Sequence, residues 1–305
     1  GAVRIRGDSL VGVNLNMFPF NRGADTSLGS IFSSGARSGY PASDTQVQQR
    51  SARWRSADLL YPVWLKRDLG TSYRIGAIAL VAHNLTRTGK VRIMISDNVD
   101  MSSPLYDSGA IDAWENLWPS GEEPDYTASG LASEYADANG LPLAVAISAM
   151  PEPVFLKTFT TVAGRYIEVH FDDAANGDGY TEIAYVYAGI VIEADVNYSQ
   201  LQVTQIDSAR MAEAGSGQDW AASVYKKTEV SAILELQPEN KALGFWMFAF
   251  SHLGVSKEFV VVFRDQAAKW RFWLTLYAHF KQVPKMTGTH FERYSFPLEI
   301  EELVG

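Results

Sequence analysis

The chain has 305 residues, 47% of them apolar and 20% charged, a formal net charge of −9 and no cysteine. It is therefore too long for one small domain, too apolar for a disordered polymer, and without disulfides or thiolate metal sites. The charge argues against nucleic-acid binding: no Lys or Arg occurs between residues 93 and 156, where Asp97, Asp107, Asp112, Glu122, Glu123 and further carboxylates fall.

No run reaches the roughly 18 apolar residues of a membrane span, and the opening Gly1-Ala2-Val3-Arg4 lacks an apolar signal core, so neither membrane insertion nor a secretion address is expected. Residues 1–45 read as an N-terminal strand and a Gly/Ser-rich loop packing on the domain that follows. The loop, at 21–44, could also drape over a neighbouring subunit. Residues 46–195 carry β periodicity. The apolar run 75–81 suits a strand covered on both faces, and Val91, Ile93 and Ile95 alternate with Arg92 and Met94 as in a half-buried strand. Residues 110–150 break the pattern with an acidic, Pro/Gly-containing insertion. Its Trp114 and Trp118 are candidates for exposed partner contacts. Strands resume at 154–159 and 165–171, where Ile167, Val169 and Phe171 point one way and Glu168 and His170 the other; 183–192 suits a central strand.

Residues 196–225 read as a connection and 226–305 as a small β-sandwich or split barrel with one helix at 239–253. Pro238 opens that helix and Gly254 ends it. Leu243, Trp246, Met247 and Phe250 recur at i, i+3, i+4 and i+7, an apolar face for the helix's own domain. Phe245 and Phe248 lie outside that stripe and are interface candidates. Strands at 259–263, 270–280 and 290–302 complete the module, so the fold class is mainly β.

The five histidines lack the paired spacing of a zinc helix, and neither a nucleophile elbow, a phosphate loop nor a dinucleotide fingerprint occurs. No enzyme activity and no cofactor is expected. Asp172, Asp173, Asn176 and Asp178 offer oxygen ligands that calcium accepts, but the spacing lacks the EF-hand arrangement and a plain hairpin loop accounts for the composition. His83 and Asn84, ending a buried strand, either satisfy loop backbone groups or belong to a ligand loop.

The stretch 53–85 narrows the reading. Arg53-Trp54-Arg55-Ser56, then Val63-Trp64-Leu65, Asp68-Leu69-Gly70, and Ile75, Ile78 and Leu80 resemble the opening of a discoidin-like jelly roll. The continuation Ala79-Leu80-Val81-Ala82-His83-Asn84-Leu85 is similar to a family of bacteriophage tail and baseplate proteins. The apolar/acidic close Phe296-Pro297-Leu298-Glu299-Ile300-Glu301-Glu302 resembles that family too. This resemblance implies Trp54 and Trp64 in the core and a discoidin-like jelly roll followed by a strand-helix-strand module. It further implies a structural protein of a tail tip or baseplate that assembles with other tail proteins in a three- or six-fold ring, in a virion built in the bacterial cytoplasm. The alternative is an adhesion module recognising a host-surface glycan.

Overall fold

The computed structural model describes residues 15–23, 25–47, 51–60, 62–115, 136, 142–143, 147, 153–195, 198–207, 210–213, 219–222, 226–263 and 274–303. Two long strands, Val63–His83 and Val154–Asp172, organise the first half and pair antiparallel along most of their length. The sequence reads the second of them as two shorter strands. In the structure each chain bends without breaking, because register shifts between Asp68 and Tyr73 and between Ile75 and Ala77 let the pair turn a corner while hydrogen-bonded. Gly70, at φ +75°, supplies the left-handed backbone that this corner needs.

The sheet thereby folds over on itself as a jelly roll. One leaf holds the first half of Val63–His83 with Ile31–Ser33, Lys90–Ser96, Tyr106–Asp107 and Ile111–Asp112; the other holds its second half with Glu182–Gly189 and Trp54–Arg55. Between the leaves pack Trp54, Leu65, Ile78, Leu80, Ile93, Val169 and Phe171.

A second antiparallel sheet runs in the order Ile192–Glu193, Asn16–Phe18, Phe259–Val262, Thr275–Phe280, Arg293–Glu302, Lys226–Pro238, Tyr198–Asp207, with Thr287–His290 added beside Arg293–Glu302. One of its faces lies on the jelly roll, where Ala77, Ala79, Val81 and Tyr187 meet Phe18, Val260, Val262 and Tyr277. Its other face is covered by the helix that spans Glu239–Lys241, Ala242–Trp246 and Met247–Leu253. The unbroken apolar run at 75–81 now has its cause: Ile78 and Leu80 face the jelly-roll core while Ala77, Ala79 and Val81 face the second sheet. The chain is mainly β, a jelly roll joined to a helix-covered sheet.

Several expectations are corrected. The early strand, Asn16–Phe18, joins the second sheet and not the jelly roll, because Met17 and Phe18 fill the apolar layers on that sheet's two faces. Only the strand departs: the loop after it does lie on the jelly roll, where Arg67 donates to the carbonyls of Asp25 and Leu28 and Asp68 N–H donates to Ser30 O at 2.8 Å. The connection at 196–225 contains the strand Tyr198–Asp207 and the hairpin pair Arg210–Glu213 and Asp219–Ala222. Tyr198–Asp207 is a mostly exposed edge strand, so it has no buried stripe for periodicity to reveal.

The helix also sits differently. Its buried side is Ala242, Trp246, Ala249, Phe250 and Leu253, while Leu243 and Met247 are exposed. Two alanines on the contact line let the helix approach the sheet closely, and the middle turn, Ala242–Trp246, is π-helical, which shifts the stripe from the one the large residues mark out. Trp64 lies outside the core on the outward face of its strand, half-buried beneath Lys66, whose Nζ is 5.5 Å from the indole centre. Strand alternation from buried Val63 and Leu65 puts it there.

Gly189, at the end of Glu182–Gly189, lies directly against the segment that follows Asn16–Phe18, for a Cβ there would collide with the carbonyl oxygen of Phe20, a backbone atom. Gly189→Ala is expected to cost roughly 1–3 kcal/mol through overpacking. A urea midpoint equal to the parent's would show that the 20–23 segment gives way freely.

Candidate functional site

The candidate site is the end of the jelly roll where the loops at 84–89 and 172–181 meet the early loop and strand Trp54–Arg55. Side-chain hydrogen bonds hold this end together. Asp173, buried, accepts from Thr86 N–H at 2.8 Å and from Thr86 Oγ1 at 2.5 Å, while Asn176 Nδ2 donates to Asn84 O at 3.0 Å. Asn84 Nδ2 donates to Asp178 Oδ2 at 2.9 Å and to Tyr180 O at 3.0 Å, and its Oδ1 accepts from Glu182 N–H at 2.6 Å.

Both carboxylate oxygens of Asp173, the side-chain oxygen of Asn176 and Asp178 Oδ2 thus accept from neighbouring N–H and O–H groups, whereas Asp172 is exposed at its strand end. Among the described residues no group of three or more His, Asp or Glu side chains is arranged to hold a metal ion. Asn84 satisfies loop backbone groups, as its place at a strand end leads one to expect. His83 does not reach them.

His83 is 5% exposed, stands edge-on to Trp114 with ring centres 5.2 Å apart, and its Nδ1 has no hydrogen-bond partner among the described residues. Burial pushes its pKa down to about 3, so the imidazole is neutral at physiological pH. It lines a small cavity with Trp114, Glu115, Val154 and Thr275, between the jelly roll and the second sheet.

Trp114 itself corrects the expectation of an exposed anchor. It is buried in the jelly-roll core, its Nε1 donates to Leu85 O at 2.8 Å, and the preceding Ile111–Asp112 pairs with Lys90–Ser96. The start of the expected insertion therefore belongs to the jelly roll, where its Asp112 pairs with Lys90 at 2.7 Å, and Asp107 just before it pairs with Arg92 at 2.6 Å. Trp118 lies outside the described residues, as does most of 116–150.

Sequence reasoning missed the densest polar cluster at this end. The Arg55 guanidinium lies over the Tyr40 ring at 4.0 Å and within 4.9 Å of the Tyr180 ring; Arg37 covers Tyr180 at 4.4 Å and donates to Gly179 O at 3.1 Å. Arg53 and Arg55 share one carboxylate, Glu182, at 2.6 and 2.5 Å. Alternation along Arg53-Trp54-Arg55 sends the indole inward and both guanidiniums outward, which the sequence does signal. Arg37, Tyr40 and Tyr180 come from loops with no such pattern. Phe245 and Phe248, on the far side of the molecule's layered core, are exposed, and Phe248 stands 5.5 Å from Phe20.

No family model matches the chain, and no curated protein does. Solved structures are similar to part of it. A chitosan-binding module from a chitosanase/glucanase of Paenibacillus sp. IK-5 is 16% identical, with a TM-score of 0.34, over 55% of this chain and 98% of that one. The lectin domain of lectinolysin complexed with Lewis B antigen is 12% identical, with a TM-score of 0.36, over 55% of this chain and 95% of that one. The family 32 carbohydrate-binding module of C. perfringens NanJ in complex with galactose is 15% identical, with a TM-score of 0.34, over 58% of this chain and 99% of that one.

Proposed function

We propose that the chain is a non-enzymatic structural component of a phage tail tip or baseplate, acting by assembly with copies of itself and with other tail proteins. One surface supports this reading. The helix packs its inner side completely, yet leaves Leu243, Phe245, Met247 and Phe248 between 41% and 62% exposed on its outer side. A contiguous apolar surface of this kind is costly to leave in water and marks a protein contact. In a three- or six-fold ring each copy would bury it against its neighbour, a heterologous contact that closure makes self-limiting. The resemblance over 53–85 adds the phage tail as the setting, and the virion as the location.

Phe245→Ser and Phe248→Ser test it. Exposed substitutions shift stability within about 0.5 kcal/mol, so the isolated chain should melt as the parent does while at least one variant fails to form rings or enter particles. If both variants unfold the isolated chain, or both assemble normally, this surface is not an assembly interface.

A second reading, a module that binds a host-surface glycan, is favoured by a different observation: the arginines and tyrosines gathered at the loop end of the jelly roll, away from the helix. The two readings are compatible, since one uses the helix and the other the opposite module.

A further inference from the structure

We infer that Arg37, Arg53, Arg55, Tyr40 and Tyr180 form a site for an oxyanion carried on a saccharide, a uronate carboxylate or a sulfate ester; this rests on the glycan-binding reading and specifies its ligand. Charge balance carries the inference. Three guanidiniums meet at one place in a chain whose net charge is −9: Arg53 and Arg55 hold the Glu182 carboxylate between them, and Arg37 is ion-paired to no carboxylate among the described residues. That carboxylate lies beneath them, its side chain 9% exposed, whereas those of Arg53 and Arg55 are 30% and 27% exposed. Glu182 thus acts as a buried peg that sets two guanidiniums side by side, and the exposed Arg37 adds a positive charge next to them.

Geometry explains why the ligand is anionic. Guanidiniums lie over the Tyr40 and Tyr180 rings, so the cluster presents cations where a neutral sugar would need a bare aromatic face. Stacking fixes the planes of Arg37 and Arg55 and leaves edge N–H groups to make directional contacts: Arg37 gives one N–H to Gly179 O and Arg55 gives its Nε to Glu182, out of five donors on each. Paired forks of this kind match the two oxygens of a carboxylate or sulfate. Because loop hydrogen bonds, Arg37 N–H to Arg55 O at 2.9 Å among them, already order the cluster, little freedom is lost on binding.

Titration calorimetry of the full chain with an oligouronate, a sulfated oligosaccharide and a neutral oligosaccharide of equal length tests this, with Arg37→Ala and Arg37→Lys beside the parent. At least one acidic ligand should bind, more weakly as salt rises. Arg37→Ala should lose about tenfold in affinity, as expected of a charge-assisted hydrogen bond, and Arg37→Lys should recover only part of it, with unchanged melting temperatures. Uronate and sulfate arms distinguish the two sources of the oxyanion. Neutral and acidic ligands bound equally would overturn the inference and leave the glycan reading standing; no binding of any saccharide would overturn both. Acidic binding indifferent to both Arg37 variants would place the site elsewhere and also overturn the inference.

Discussion

Trp54→Ala should cost roughly 3–5 kcal/mol of stability, the range for removing a fully buried tryptophan. The side chain has no solvent exposure, packs 5.9 Å from the Phe171 ring, and fills the space where the short strand Trp54–Arg55 closes the jelly roll against Glu182–Gly189. Truncation leaves a cavity between the leaves and also removes the donor that Nε1 offers to Gly35 O at 3.3 Å, loosening the early loop. Trp64→Ala is the control. With Trp64 half-buried on the outward face, it should cost about 1 kcal/mol or less, since large losses come from cavities and buried polar groups. Urea denaturation followed by far-ultraviolet circular dichroism compares them directly. Equal midpoints for the two variants would mean that Trp54 is not the wedge between the leaves.

Acid should weaken the fold well before the carboxylates titrate, because of His83. In the unfolded chain a histidine takes up a proton near pH 6.5, but burial holds His83 neutral down to about pH 3. Its neutral, buried state therefore contributes stability that is fully present above pH 6.5 and lost as pH falls from there toward 3, because the unfolded chain then binds a proton that the folded chain refuses. Between pH 7 and pH 5 the loss is about 2 kcal/mol.

The acidic groups confuse this only at lower pH. Asp68 is held below the usual carboxylate range by the Arg165 hydrogen bond and Asp107 by that of Arg92, and both contributions persist until those groups protonate. His252 is also lowered, mainly by desolvation, and acts in the same direction, so the decisive quantity is a difference. His83→Gln cannot protonate and should show a flatter stability profile between pH 7 and 5 than the parent. Parallel profiles would mean that His83 is solvated or protonated in the folded chain.

The jelly-roll half was legible because its signals are local. Alternation at 91–95 and 165–171 picks out Val91, Ile93, Ile95, Ile167, Val169 and Phe171 as the side that faces the jelly-roll core, and both faces of the 75–81 run are apolar because both are covered. Trp64 was misread since a tryptophan in a motif looks like core, whereas its position between buried Val63 and Leu65 puts it on the other face. The helix ends were legible too: Gly254 caps it at φ +57°, with its N–H donating to Phe250 O at 2.9 Å.

Its seam was not legible, because a stripe chosen by side-chain size passes over Ala242 and Ala249, and only contact with the sheet shows that small residues lie on the line of closest approach. The same holds for the places where the chain meets itself across long separations. Sequence by itself determined which faces of the jelly-roll strands are apolar, where the helix begins and ends, and that the chain is mainly β, since those follow from neighbours two to four positions apart. Tertiary structure alone decided that Asn16–Phe18 crosses to the second sheet, that Trp114 closes over His83, and that Arg37, Arg55 and Tyr180 converge. Those contacts join segments up to hundreds of residues apart, and no short-range periodicity carries information about them.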